Sequence, residues 1–185
     1  ALVIGAETLS DILDWNDRST CVLFGDGAGA IVLKSSSSPG ILTSSLHADG
    51  KLCNILHAPA RISRGKIVGK PFAIMDGKGV FRKAVDALTS SAEEVLIKAD
   101  ISKEKVDWLI PHQANLRILR AVAKRLGIPD SKLIETVCEH ANTSAASVPL
   151  AIDAARKDER IVKGNLILVQ GVGGGLSWGS SLINM

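Results

Sequence analysis

Two polar motifs, Pro111-His112-Gln113-Ala114-Asn115 and Asn142-Thr143-Ser144-Ala145-Ala146-Ser147, constrain this chain more than any other feature. Each follows a short β-like run, Val106 to Ile110 in the first case and Lys132 to Val137 in the second, and each precedes a helix-like run. A repeat of strand, polar motif and helix predicts an open α/β sheet, in which the carboxyl ends of the strands form the crevice where ligands bind. The two repeats would deliver one imidazole and one carboxamide to the same rim. His112 and Asn142 could there donate hydrogen bonds together to a developing oxyanion. Plainer readings stand beside this one. A single His at a strand end most often serves structure or surface, and Asn142 with Thr143 could simply cap the following helix.

The flanking pattern supports the layered reading. Apolar residues at 80, 81, 84, 85, 88, 92, 95 and 96 have the spacing of an amphipathic helix over Val80 to Ala99. A strand over 106–110, a helix over 114–126 ended by Gly127, and a strand near 132–137 follow. A third helix is predicted over 144–157, with Pro149 either in its first turn or kinking it. Asn165 to Gln170 reads as a buried strand, the glycines of 171–175 break it, and Leu176 to Ile183 forms the last strand. With a strand from Ile41 to Leu46 and a long loop to about Asp76, residues 41–185 read β-α-β-α-β-α-β-β. That order predicts a largely parallel sheet covered on both faces.

Ser35-Ser36-Ser37-Ser38-Pro39-Gly40 has linker composition and separates this unit from residues 1–40. The first unit reads as a strand over 1–7, a polar loop over 14–18, and strands Cys21–Phe24 and Ala30–Leu33. Gly25-Asp26-Gly27-Ala28-Gly29 leads into a strand rather than a helix, so no helix N-terminus is available to hold a phosphate. A tight β-hairpin is the better reading. Gly173-Gly174-Gly175 lets the backbone approach a ligand or make a tight bend.

A hydrophobic share of 46% with 22% charge fits one sizeable globular domain. The net charge of +3 gives no sign of nucleic-acid binding, and no apolar run has the length of a membrane span. Cys21, Cys53 and Cys138 have no paired metal-type spacing, and Cys21 and Cys138 lie in strand-like runs. Free thiols in a reducing, cytoplasmic compartment are expected. Ala1 to Glu7 already reads as a buried strand, which predicts the back part of a longer protein. The second helix carries Arg117, Arg120, Lys124 and Arg125 with no acidic residue from 114 to 126. This is either a solvated face or a docking surface for an acidic partner, and cations in a last turn also suit the helix dipole.

The strings Trp108 to Arg117, Asn142 to Pro149, Phe24 to Ala30 and Leu46 to Gly50 resemble β-ketoacyl-acyl-carrier-protein synthase III, as do Gly173-Gly174-Gly175 and Trp178-Gly179-Ser180. The resemblance runs through essentially all 185 residues in order. It implies the thiolase-like layered αβαβα fold, with 1–40 as the last strands of the N-terminal half and 41–185 as the complete C-terminal half. The family nucleophile is a Cys at the start of a buried helix in the first half, and none of the three cysteines here carries its surrounding motif.

The resemblance further implies a cytoplasmic acyltransferase that joins an acyl-CoA primer to malonyl-acyl carrier protein by decarboxylative condensation, initiating type II fatty-acid synthesis. It implies a homodimer when complete, acyl-CoA as substrate, and no metal or redox cofactor. His112 and Asn142 would hold the malonyl thioester oxygen, and the backbone N–H of Gly174 would help hold the second oxyanion. Arg18 would lie near the CoA adenine, while Gly77, Phe81 and Asn115 would line the pantetheine tunnel. Arg117, Lys124 and Arg125 would face the carrier protein. Ala141 departs from a familiar Gly before the Asn, and Leu176 from a familiar aromatic residue. Two other readings remain: a non-catalytic half-domain that assembles with a Cys-bearing chain, and a related chain-initiating synthase of secondary metabolism.

Overall fold

Leu109 and Ile110 are adjacent in one strand, so they face opposite sides of its sheet, and each belongs to a separate buried cluster. The computed structural model describes all residues, 1–185. Its strands are β1 (Leu2–Glu7), β2 (Gly27–Val32), β3 (Ile41–Ala48), β4 (Leu56–His57), β5 (Arg61–Ser63), β6 (Lys66–Val68), β7 (Ile74–Met75), β8 (Trp108–Pro111), β9 (Leu166–Gly173) and β10 (Ser177–Asn184). Its α-helices are α1 (Gly77–Lys98), α2 (Leu116–Leu126), α3 (Val137–His140) and α4 (Ser147–Lys157).

The main sheet has the order β3-β10-β9-β8. Leu109, Leu168 and Leu182 point to the side of α1 and α2, where they meet Leu88, Val95, Leu119 and Val122. Ile110 and Ile167 point the other way, against Ala151, Ile152 and Ala155 of α4. Full burial of each such side chain contributes roughly 1.5–3 kcal/mol, so this two-sided packing dominates the stability of the unit.

The sheet is mixed, where a largely parallel one was expected. β8 runs parallel to β9, but β10 is antiparallel to both β9 and β3. The cause is the short connection at 174–176, which folds the last two strands into a hairpin and inserts β10 beside β3. β9 itself continues to Gly173, beyond the expected break at Gly171.

The strand expected over 132–137 is reduced to one parallel bridge between Leu133 and Leu109. The side chain of Gln113 bonds backbone groups of Ile134, Thr136 and Val137, and α3 then begins at Val137.

Helix limits follow local chemistry. α1 starts ahead of Val80 because the Asp76 carboxylate accepts the N–H groups of Lys78 at 3.2 Å and Gly79 at 3.1 Å. The Asn115 side chain caps α2 by accepting the Ile118 N–H at 3.0 Å, and Gly127 ends it with a left-handed φ of 69°. A 3-10 turn over Ser144–Ala146 leads into α4, and Pro149 lies in the first turn, where its missing N–H costs nothing.

In the first unit β1 and β2 form an antiparallel ribbon, from Leu2 opposite Val32 to Glu7 opposite Gly27. The expected strand Cys21–Phe24 is instead coiled. Backbone N–H groups of Thr20 and Cys21 both donate to the Asp17 carbonyl, and only Phe24 pairs, in a parallel bridge with Asn142. Gly25–Gly29 makes no tight hairpin. Gly29 lies within β2, where a Cβ would come 2.9 Å from Cγ of Pro149. A Cβ on Gly5 would collide with the Ala145 carbonyl oxygen, so the ribbon presses directly on the loop that follows Asn142.

The long segment before α1 is also more structured than expected. It holds a β5–β6 hairpin and a β4–β7 pair. All three cysteines are free; Cys21 sits in the coiled turn, and Cys53 and Cys138 are exposed, with Cys138 in α3 rather than a strand.

Candidate active site

His112 follows directly from β8, and its N–H donates to the Gln170 carbonyl at 2.8 Å, continuing the pairing with β9. Asn142 is held from the other side by the first unit. Its N–H donates to the Leu23 carbonyl at 2.9 Å and its carbonyl accepts the Gly25 N–H at 3.0 Å. Both side chains are nearly buried, His112 at 8% exposure and Asn142 at 7%. They share a cleft of about 1040 Å³ and a smaller adjoining cavity of about 220 Å³.

Their polar ends are fixed by neighbours. Asn142 Oδ1 accepts the Ser144 N–H at 3.0 Å, which leaves the amide nitrogen as the end available to another molecule. His112 Nδ1 lies 2.7 Å from Ser147 Oγ, which leaves Nε2 without a protein partner. Burial pushes His112 down to about 4, with the Ser144 backbone second and acting in the opposite sense. The imidazole is therefore neutral near pH 7 and carries a single N–H. Two uncharged side chains at one buried site suit stabilisation of negative charge that appears during a reaction, because the site is already organised for it.

The remaining candidate residues divide by position. Gly77, Phe81, Asn115 and Arg117 line the large cleft with His112 and Asn142. The Arg117 guanidinium sits 5.4 Å from the centre of the Phe81 ring. Gly174 lines the smaller cavity, beside Leu56 and Gly173. Arg18 is exposed and lies outside both cavities, next to Ser19, which lines the cleft.

Lys124 and Arg125 are exposed on the last turn of α2, away from the cleft lining. The charge of α2 is less isolated than its own sequence suggests. Arg120 pairs with Glu135 at 2.9 Å and Arg125 with Asp86 of α1, so the acids come from other elements. Arg117 and Lys124 have no acidic partner.

The departures from the family pattern have definite settings. Ala141 has φ 57° and ψ −167°. Leu176 is 1% exposed, lines the cleft, and exchanges two backbone hydrogen bonds with Asp49 at 2.8 and 3.0 Å. Sequence reasoning did not single out Gln113 and Ser147 individually, nor Leu56, His57 and Met75, which also line the cavities. These three come from a loop without periodicity, so only the folded chain brings them to the site.

A family model described as 3-Oxoacyl-[acyl-carrier-protein (ACP)] synthase III C terminal matches residues 96–185, and one described as 3-Oxoacyl-[acyl-carrier-protein (ACP)] synthase III matches residues 1–50. Beta-ketoacyl-[acyl-carrier-protein] synthase III of Bordetella petrii is 59% identical over 185 residues, which is 100% of this chain and 56% of that protein. The crystal structure of 3-oxoacyl-[acyl-carrier-protein] synthase III from Aquifex aeolicus superimposes with a TM-score of 0.93 at 44% identity, over 100% of this chain and 57% of its own. The priming β-ketosynthase of the R1128 polyketide biosynthetic pathway gives 0.88 at 38% identity, over 99% and 56%. The fold is the thiolase-like layered α/β architecture, and the chain spans a little over half the length of these relatives.

Proposed function

Because this chain belongs to the 3-oxoacyl-[acyl-carrier-protein] synthase III family, we propose that it forms the decarboxylation side of a condensing acyltransferase that joins an acyl-CoA primer to malonyl-acyl carrier protein. The observation that carries this reading is the pairing of neutral His112 with the amide nitrogen of Asn142 in one buried site. When the malonyl carboxylate leaves as CO₂, its bonding electrons pass into the thioester carbonyl and give an enolate. Nε2–H of His112 and the Asn142 amide stabilise that oxygen. The enolate carbon then attacks an acyl-thioester and expels the cysteine thiolate. The oxyanion of this second step takes the N–H of Gly174 together with that of the nucleophilic Cys.

Cys21, Cys53 and Cys138 line neither cavity, so the nucleophile belongs to the portion of the relatives outside their match to this chain. On this reading residues 1–40 complete the first thiolase-like half and 41–185 form the second. Exposed apolar residues such as Leu2, Ile4, Val32 and Leu46 are surfaces for the first half and for a second copy in a homodimer. Acyl-CoA is substrate, with Gly77, Phe81 and Asn115 along the pantetheine path and Arg18 near the adenine, and the chemistry calls for no cofactor. No helix is long and apolar enough to cross a membrane, and three free thiols support a cytoplasmic enzyme. Initiation of type II fatty-acid synthesis is the favoured role. The similarity to a polyketide priming synthase supports a second, in which the same chemistry starts a secondary metabolite.

The test is His112→Ala and Asn142→Ala in the enzyme that includes the nucleophile. Each should lower malonyl decarboxylation on the order of 10²–10³-fold, the usual cost of one oxyanion donor. Acyl transfer from the primer to Cys should survive better. Unchanged condensation in either variant would overturn the assignment.

A further inference from the structure

Ser147 opens α4 and is 1% exposed. Its Oγ lies 2.7 Å from Nδ1 of His112 and accepts the backbone N–H of Gln113 at 3.2 Å. Those two contacts are the whole hydrogen-bonding environment of that oxygen. A hydroxyl supplies one proton and two acceptor positions, and a neutral imidazole supplies one of each. Only two arrangements are therefore available.

In the first, the ring proton sits on Nδ1 and points at Ser147. Oγ then accepts twice, and its own proton is left buried without an acceptor, which disfavours the arrangement by roughly tenfold. In the second, Ser147 donates to Nδ1 while accepting from Gln113, and every group is matched. The Ser144 backbone also acts on the ring and favours a proton there, second to the burial that opposes it.

From these contacts we propose that Ser147 is a positioning residue whose hydroxyl donates to Nδ1 of His112 and so holds the ring proton on Nε2, the nitrogen left for the substrate oxygen. The inference rests on the oxyanion role given to His112 above. It makes α4 part of the catalytic apparatus: the helix that packs against Ile110 and Ile167 also sets which ring nitrogen is the donor. A wrong tautomer is costly in a comparable setting, since fixing the imidazole by its second nitrogen is what the buried Asp does in a Ser-His-Asp triad.

The experiment uses the active enzyme, nucleophile included, with ¹⁵N-labelled histidine, so that NMR reads the tautomer of His112 directly. The wild type is expected to carry its proton on Nε2. In Ser147→Ala a population with the proton on Nδ1 should appear, and kcat for malonyl decarboxylation should fall about tenfold with little change in KM. Ser147→Thr, which keeps the hydroxyl, should restore the Nε2 tautomer. A wild-type ring protonated on Nδ1 would overturn the proposal whatever the variants do. So would Ser147→Ala with an unchanged tautomer and unchanged kcat. Retention of decarboxylation by His112→Ala would instead overturn the functional reading, so the two failures are separable.

Discussion

Gln113 and Thr136 are joined by a hydrogen bond of 2.8 Å from the Thr136 N–H to Gln113 Oε1, which ties the His112 loop to the segment leading to Asn142. The same oxygen accepts the Val137 N–H at 3.1 Å. Gln113 Nε2 donates to the carbonyls of Pro111 at 2.8 Å and Ile134 at 3.1 Å. The amide, fully buried, thus uses its whole capacity of two donations and two acceptances. Gln113→Leu preserves bulk but leaves these backbone groups unmatched. Each buried unsatisfied group costs about 1–3 kcal/mol, so unfolding free energy should drop by at least about 3 kcal/mol. A denaturant midpoint within error of wild type would show that the clamp is not what joins the two loops.

That clamp also explains which parts of the chain were legible in its sequence. α1 and α2 followed from apolar spacing, because their buried faces repeat within a few residues of one another. Lys132 to Val137 has strand-like composition, yet its backbone is taken by an amide in another loop, and no local window contains that information. The coiling of Cys21–Phe24 follows from turns around Asp17, which compete with a ladder that apolar composition alone would favour. The mixed sheet depends on reading 174–176 as a hairpin rather than a strand break. His112 and Asn142 were visible because each sits in a polar motif after a strand-like run, although only the first run forms a full strand. The hold of Leu23 and Gly25 on Asn142 was not, since backbone partners leave no side-chain signature.

Stability should depend on pH through His112. Its folded-state value of about 4 lies below the usual 6.5, with burial as the main cause. Between those values the unfolded chain binds more protons, so stability is fully present above pH 6.5 and is lost as pH falls towards 4. The difference amounts to about 3 kcal/mol. Glu94, held at about 2 chiefly by Lys98, loses its contribution below its ordinary 4.5, largely outside this window. Chemical unfolding from pH 7 to 4 should therefore show a slope that His112→Gln flattens. An unaltered slope in that variant would assign the pH dependence to other groups.

The basic residues of α2 should not respond alike. Lys124 has no acidic partner and stands away from the cleft, so Lys124→Glu should weaken carrier-protein binding and reduce its salt sensitivity. Turnover of malonyl-CoA should suffer less. Arg117→Glu should impair both substrates, because Arg117 also lines the cleft and stacks on Phe81. Arg125→Glu places a second carboxylate beside Asp86 and should cost up to about 1 kcal/mol of stability as well. Carrier-protein titrations at several salt concentrations separate these outcomes. Equal losses with both substrates in Lys124→Glu would mark α2 as a packing helix rather than a docking surface.

Ala141 offers the reverse case, a residue whose replacement should improve the fold. Its φ of 57° with ψ of −167° falls in a region that is nearly exclusive to glycine. The conformation is imposed from both sides: the Ala141 N–H closes α3 on the Val137 carbonyl, and Asn142 is fixed immediately afterwards by Leu23 and Gly25. The chain cannot relax the torsion without moving Asn142. Strain of about 1–3 kcal/mol at such a position exceeds the extra entropy that glycine brings to the unfolded chain, which is under about 1 kcal/mol. Ala141→Gly should therefore stabilise the protein by about 1 kcal/mol and raise its Tm by about 2–4 °C. Decarboxylation should be retained, because the backbone bonds that place Asn142 do not involve the Ala141 side chain. Ala141→Val should do the opposite in thermal unfolding. A lower Tm for the glycine variant would mean that the torsion carries no strain in solution.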